Sequence, residues 1–357
     1  MTIVGIAGCT GLMLTGFGIR DSVMDIPTVQ FEDIFKYEIT VAISKTDHIS
    51  KLEEYLNSNE NIENYSKTYT STGKIKQNDN NYDITMIVPE DSDTFNNICN
   101  MTNVETKEEL KLSNNGVIIT DKIAEMLNVK TGDEVTFIDS EDVEYKVKID
   151  AITRNYVSHY IYMSKDYFEK NIKNYKTNMI YINTKDVSEQ VQDNISKEIL
   201  DIDNVVSVTV MPTLIKSVSD MLNTMNYVVV VLIVSSALLA FVVLYNLASV
   251  NISERQREIA TLKVLGFYNK EVDNYINKEN IIFTIVGVIL GLGFGVILTN
   301  SIIASIEIDM LKFMRHINPL SYMYSAVITI LFSLTVNMII HFILKKIDMI
   351  ESLKSVE

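Results

Sequence analysis

Apolar and polar residues are unevenly spread along this chain. Residues 2–19 read TIVGIAGCTGLMLTGFGI, an uncharged run about long enough to cross a bilayer. Tyr227 to Tyr245, YVVVVLIVSSALLAFVVLY, is the clearest span. Its 13 Val, Leu, Ile and Phe residues favour insertion by roughly 4–8 kcal/mol, and a Tyr stands at each end, where membrane interfaces place aromatic rings. Residues 281–306 and 322–344 form two further runs of this kind. The pattern predicts transmembrane helices over 1–19, 223–246, 281–306 and 322–345. A cleaved signal peptide is the competing reading of the first run. It lacks a basic leading region, and no small-x-small cleavage site precedes Arg20-Asp21-Ser22. The run starts at Met1 without the basic flank usual for a first helix, which predicts a piece of a longer polypeptide.

Between the first two runs lies a polar block, residues 20–222. Its texture predicts an α/β (α+β) domain. Lys36–Ile43 alternates as a strand, Asp47 caps an amphipathic helix through Leu56, and Glu63–Thr72 and Tyr82–Val88 are further strands. A similar strand–helix–strand recurs over Asn178–Asn183, Ser188–Leu200 and Val205–Val210. The intervening GVIITDKIAEMLNVKTGDEVTFIDSEDVEYKVKIDAI reads as strand, short helix, Gly-Asp turn and hairpin, which predicts a β-rich insertion over 103–168. After Pro212, Leu214, Val218, Met221, Leu222 and Met225 recur at spacings of three and four, so one helix should run straight into the second span.

Loop charge sets orientation. Arg255, Arg257, Lys263, Lys270 and Lys278 lie in 246–280, and Lys345, Lys346 and Lys354 lie after the last run, against Lys312 and Arg315 in 307–321. This asymmetry predicts that 247–280 and the tail 346–357 are cytoplasmic. The 20–222 domain and the 307–321 loop are then extracytoplasmic. The 247–280 segment is longer than a connection needs. Ser253 is placed to cap a helix, with Glu254 and Glu258 in its early turns. Ile259, Leu262 and Leu265 form one apolar stripe, and Gly266 closes the helix. Such a ridge fits either a groove on a cytoplasmic protein or the headgroup layer of a membrane. In the third run Gly287, Gly291 and Gly295 share one face, where another backbone can approach. Asn300, Asn337 and His341 are polar groups in or near spans, best read as interhelical hydrogen-bonding or interfacial groups.

Charge sharpens the division. Residues 20–220 hold 21 Lys+Arg and 36 Asp+Glu, and the rest of the chain 10 of each, so the whole net charge of −15 sits on the polar block. An acidic block disfavours nucleic acid and anionic lipid as its partners. Cys9 lies in an apolar run and Cys99 in the polar block, so no disulfide framework is expected. Four His and no Trp leave little material for metal chemistry.

Glu254-Arg255-x-Arg257-Glu258-Ile259-Ala260-x-Leu262-Lys263-x-Leu265-Gly266 resembles the signature of FtsX-like (MacB-type) permeases of ABC systems. The order of one span, a large MacB-like outer domain and three spans matches that family's core. TIVGIAGCTGLMLTGFGIRDS, RHINPLSYMYSAVITILFSLTVN and KKIDMIESLKSVE look similar to the C-terminal half of larger, duplicated members in Gram-positive bacteria. Val264 stands where the family pattern often has Ala. The resemblance implies a multi-pass protein of a bacterial cytoplasmic membrane, and that Glu254–Gly266 docks on a cytoplasmic ABC ATPase. It also implies a second permease half, or a second copy, as partner within the lipid bilayer.

No G-x-x-x-x-G-K-[ST], H-E-x-x-H, C-x-x-C pair or G-x-S-x-G occurs. No catalytic residue, metal ligand or cofactor is therefore expected, and ATP hydrolysis belongs to a partner. Ser158-His159 shows no pattern beyond adjacency. The expected function is that of a permease subunit that couples a separate ATPase to movement of its outer domain, for export, lipid or lipoprotein handling, or mechanotransmission. The alternative is a membrane-anchored sensor whose outer domain recognises an extracellular ligand; four spans and a patterned loop exceed what anchoring requires.

Overall fold

The computed structural model describes residues 2–44, 49–77, 80–254, 258, 261–262, 265–266 and 269–345. Its helices are α1 (Thr2–Met24), α2 (Ser50–Ser58), α3 (Asp121–Leu127), α4 (Lys165–Asn171), α5 (Glu189–Leu200), α6 (Met211–Glu254), α7 (Asn269–Ile306) and α8 (Pro319–Lys345), with shorter helical turns between α1 and the first strand and at Ser92–Asn96. Nine strands complete it: β1 (Ile39–Ile43), β2 (Ile62–Gln77), β3 (Asn80–Pro89), β4 (Val117–Thr120), β5 (Glu134–Ile138), β6 (Glu144–Thr153), β7 (Tyr160–Tyr162), β8 (Met179–Thr184) and β9 (Val205–Val210). Two compact units result. A helical unit takes Met1–Met24, Leu222–Ile306 and Met314–Glu357; a sheet unit takes Asp25–Met221 together with Glu307–Phe313.

The sheet unit has two cores. The first belongs to β1-α2-β2 and β8-α5-β9, whose strands lie in the order β2-β8-β1-β9 with every pair antiparallel. This is the β-α-β-β-α-β arrangement. Alternation in ITVAI turns Ile39, Val41 and Ile43 to one face, where they meet Leu52, Leu56, Ile195 and Ile199 of the two helices. Asp47 falls outside the described residues. α5 is preceded by Ser188, which makes no side-chain capping bond.

The second core is a closed strand circuit, β2-β3-β7-β4-β6-β5 and back to β2. Closure removes sheet edges that would otherwise be open. The sequence pattern confines the β-rich body to 103–168, but Ile75, Ile84, Met86 and Val88 of the β2–β3 hairpin pack in the same core as Val117, Phe137, Ile149 and Phe168. β2 explains the difference. It continues to Gln77, five residues beyond the expected Thr72, pairing first with β8 and then with β3 and β5. At Gly73 the backbone runs against the Ile138 carbonyl so closely that a Cβ has no room. The turn before β5 uses Gly132 at φ 97°, a left-handed conformation that glycine adopts without a steric penalty.

Among the described residues, four helical segments are long and apolar enough to cross a membrane: Thr2–Ile34, whose residues up to Met24 lie in the helical unit, Val229–Leu247, Asn280–Ile306 and Pro319–Ile339. The first is more than half buried, the others about a quarter or less. α1 is thus the hub of the unit. It contacts α6 through Gly5 and Gly16, α7 through Gly11 and Gly18, and α8 through a Thr10–Thr329 hydroxyl pair. It also runs past residue 19 to Met24. Arg20 and Asp21 do not end it, because Asp21 has partners: its carboxylate accepts from the Asn318 N–H (2.9 Å) and the Ser321 hydroxyl (2.6 Å) at the start of α8. A carboxylate suits a helix N-terminus, where amides lack partners. Leu238, Ile289, Ile297 and Leu331 are exposed on this unit, as lipid-facing residues would be.

Candidate functional site

Three places gather the residues that sequence reasoning singles out or misses. The first is Glu254–Gly266. Glu254 belongs to α6, the helix that begins at Met211 and runs through the second span. Ser253 is inside that helix. Its hydroxyl donates to the Ser249 carbonyl (3.0 Å), so Ser253 stands within α6 and not ahead of a helix start. Arg255, Arg257, Ile259 and Lys263 lie outside the described residues. Glu258 is exposed. Leu265 donates its N–H to the Thr261 carbonyl (3.0 Å), and Gly266 follows at φ 95°, the left-handed geometry of a helix C-terminus. The two described leucines of the stripe differ. Leu262 is partly buried against the cluster of Ile6, Leu244, Val288 and Val336, whereas Leu265 is 70% exposed. Leu262 therefore packs on its own bundle, and Leu265 is exposed.

The second place is the face of α7 that carries Gly287, Gly291 and Gly295. All three meet α1. A Cβ at Gly291 would stand 2.6 Å from the Ala7 carbonyl oxygen, one at Gly295 2.9 Å from that of Gly11, and one at Gly287 2.7 Å from the Ile6 side chain. Polar side chains complete this packing. The Thr284 and Ser333 hydroxyls lie 2.7 Å apart, and the Asn280 amide donates to Asn337 (3.1 Å). Asn300 is exposed, and the side chain of His341 is outside the described residues.

The third place carries no sequence motif. Glu307–Phe313, between α7 and α8, is built into the sheet unit. Lys312 reaches Asp121 at 2.8 Å and Glu125 at 2.7 Å; Lys122 reaches Glu307 at 3.1 Å. The Lys312 N–H donates to the Tyr156 carbonyl, and the Ser158 N–H donates to that of Met310. Leu311 and Phe313 are buried. Burial raises the Asp121 carboxyl above its ordinary range, against the lowering pull of Lys312. His159 lies beneath this segment, its two ring nitrogens buried and lacking a well-formed hydrogen bond. Burial lowers its pKa, while the neighbouring Asp309 carbonyl and charge act in the opposite sense.

Beside it opens a cavity of about 500 Å³ at the mouth of the closed sheet, lined by Thr72, Asp83, Asp139, Ser158, His159 and Met310 among others. Asp139 is occupied. It accepts from the Glu141 and Val143 N–H groups (2.9 and 3.0 Å) and pairs with Lys173 (3.2 Å). Burial raises its pKa, but these bonds outweigh that and hold it below the usual carboxylate range. Among the described residues no group of His, Cys, Asp and Glu could hold a metal ion. Cys9 and Cys99 are both buried free thiols. In the sequence this place shows only the Lys312 loop charge and the adjacent Ser158-His159; nothing in the spacing of 307–313 shows where the segment docks.

Comparisons with known proteins fall on both units. The sheet unit is similar to the periplasmic region of MacB from Actinobacillus actinomycetemcomitans, with 11% identity and TM-score 0.33 over 53% of this chain and 95% of that one. It is similar also to the extracellular domain of the noncanonic ABC-type transporter YknZ from Gram-positive bacteria, with 9% identity and TM-score 0.33 over 48% and 98%. A third similarity is to a domain of a permease protein from Porphyromonas gingivalis, with 13% identity and TM-score 0.30 over 48% and 87%. No curated protein matches in sequence. Over residues 230–355, a stretch that takes in Leu265 and nearly all of the last three apolar segments, the chain matches the FtsX-like permease C-terminal family.

Proposed function

We propose that this chain is the membrane subunit of an ABC-type permease system. In this reading a separate cytoplasmic ATPase docks on Glu254–Gly266. The match over 230–355 supports it, and the observation that carries the docking surface is the contrast between Leu262 and Leu265. A segment anchored by one leucine and displaying the next, beside an exposed Glu258, presents a short apolar ridge with a charged flank to a groove. The Lys/Arg asymmetry of the short loops supports a cytoplasmic position for this segment and an extracytoplasmic one for the sheet unit. ATP binding would draw two such segments together, one from each of two permease units, as a homodimer or as two halves of a longer protein. Passage of a cargo, extraction of a lipid or lipoprotein, and mechanical signalling are all outputs of that movement.

Co-purification of an ABC ATPase with the chain from its native membranes tests this. Leu265→Asp and Glu258→Lys should each abolish recovery of the ATPase while the permease elutes and melts as the wild type does. Leu262→Asp should instead destabilise the permease itself. Undiminished ATPase recovery with Leu265→Asp would refute docking at this segment.

A further inference from the structure

Glu307–Phe313 is a short connection between two apolar helices, and such connections ordinarily remain solvated with their charges free. This one does not. Lys312 is 15% exposed at its side chain and its partner Asp121 4%; Lys122 and Glu307 are 12% and 5% exposed. Burying two ion pairs is an inefficient way to gain stability, because desolvation offsets most of the Coulomb attraction. What buried pairs supply well is a fixed position, since a displaced partner leaves an uncompensated charge. The contact is also specific in register. Leu311 bridges Val157 in antiparallel fashion, the Lys312 and Ser158 amides bond across to Tyr156 and Met310, and the Phe313 N–H donates back to Glu307 (2.9 Å). Asp121 and Lys122 open α3, whose Ile123, Ala124 and Leu127 are core residues of the closed sheet. The chain leaves α7 at Ile306, is held at α3, and enters α8 at Pro319.

We infer that Glu307–Phe313 is a permanently fastened strap, with Lys312 as its positioning residue, that delivers displacement of the α7–α8 pair to the closed sheet at α3. This gives the sheet unit a covalent tie to the apolar helices beyond those through α1 and α6, and the tie acts on the core of the closed sheet. The source of the displacement rests on the ATPase coupling proposed above; the fastening does not.

Hydrogen exchange on the full chain in lipid nanodiscs separates the two. In the wild type, the Ser158, Lys312 and Phe313 amides should be protected. Lys312→Met leaves Asp121 buried and unpaired, and exchange at these amides should rise by about 100-fold or more, while amides in the middle of α7 keep their protection. The double variant Asp121→Asn with Lys312→Met removes both charges and should restore most of the protection. Unchanged exchange in Lys312→Met would overturn the strap. In the complex with the co-purified ATPase, ATP plus vanadate should alter exchange in α3 of the wild type and not in Lys312→Met, with the ATPase bound to both. A persisting nucleotide response at α3 in that variant would refute transmission through this tie. If no ATPase binds the wild type, the coupling reading fails, and the fastening is decided by the exchange data alone.

Discussion

Gly291 and Gly293 stand two residues apart in α7, and an added methyl group should act on them in opposite directions. At Gly291 the new Cβ would be 2.6 Å from the Ala7 carbonyl oxygen, 2.6 Å from the Thr10 Cβ and 3.0 Å from the Ala7 Cα. Two of these three atoms are backbone, so no side-chain rotation relieves them, and α1 and α7 must separate. A gap of about 0.5–1 Å forfeits a quarter to a half of each dispersion contact along the seam. Overpacking of this kind costs about 1–3 kcal/mol, against about 1 kcal/mol gained from the better helix propensity of Ala. At Gly293 nothing lies within 4 Å of the added carbon, so only the propensity gain remains. Gly291→Ala and Gly293→Ala should therefore differ in stability by roughly 1–3 kcal/mol, with Gly293→Ala at or above the wild type. The assay is thermal or denaturant unfolding in detergent by circular dichroism. Cys9, buried on α1, supplies a second readout through its labelling by a maleimide in a Cys99→Ser background. Gly291→Ala should speed labelling and Gly293→Ala should not. A Gly291→Ala protein as stable as Gly293→Ala, with Cys9 still protected, would show that α1 does not lie in the glycine groove.

Two further predictions concern pH and the sheet unit. Burial lowers the His159 pKa below its ordinary 6.5, so the unfolded chain takes up the proton first. Stability is complete above that ordinary value and falls as pH drops through 6.5 toward the folded value. His159→Gln should flatten the melting temperature over this window, and a slope identical to the wild type would assign the effect elsewhere. Asp139 has its pKa depressed in the fold, so its contribution is present above the unfolded value of 3.8 and lost as pH falls through the folded one. Asp139→Asn keeps the shape but loses the charge facing two amides and Lys173. It should cost about 1–3 kcal/mol near neutral pH and less in acid, measured by urea unfolding at pH 7 and pH 3.

The apolar helices and the β-α-β-β-α-β half were legible in the sequence because each rests on a local rule. Thirteen branched or aromatic apolar residues between Tyr227 and Tyr245 allow few structures other than a span, and β9 occupies the expected Val205–Val210. The misses share a cause: the deciding partner is distant in sequence. Arg20-Asp21 reads as the end of a helix until Asn318 and Ser321 are brought to Asp21. β2 reads as ending at Thr72 because its last residues alternate weakly, and the pairing of Lys74–Lys76 with β5 extends it. Ser253 has the composition of a cap, but a cap forms only where the backbone leaves the helix, and α6 does not leave it there. Lys312 is the sharpest case. As a loop charge it counted toward orientation, a rule that assumes solvated residues; in the fold it is held by two carboxylates of α3. A charge count reports which side of the membrane a loop occupies, and it is insensitive to whether the loop stands free or is fastened. That second property decides whether the helices on either side of the loop can move without moving the sheet.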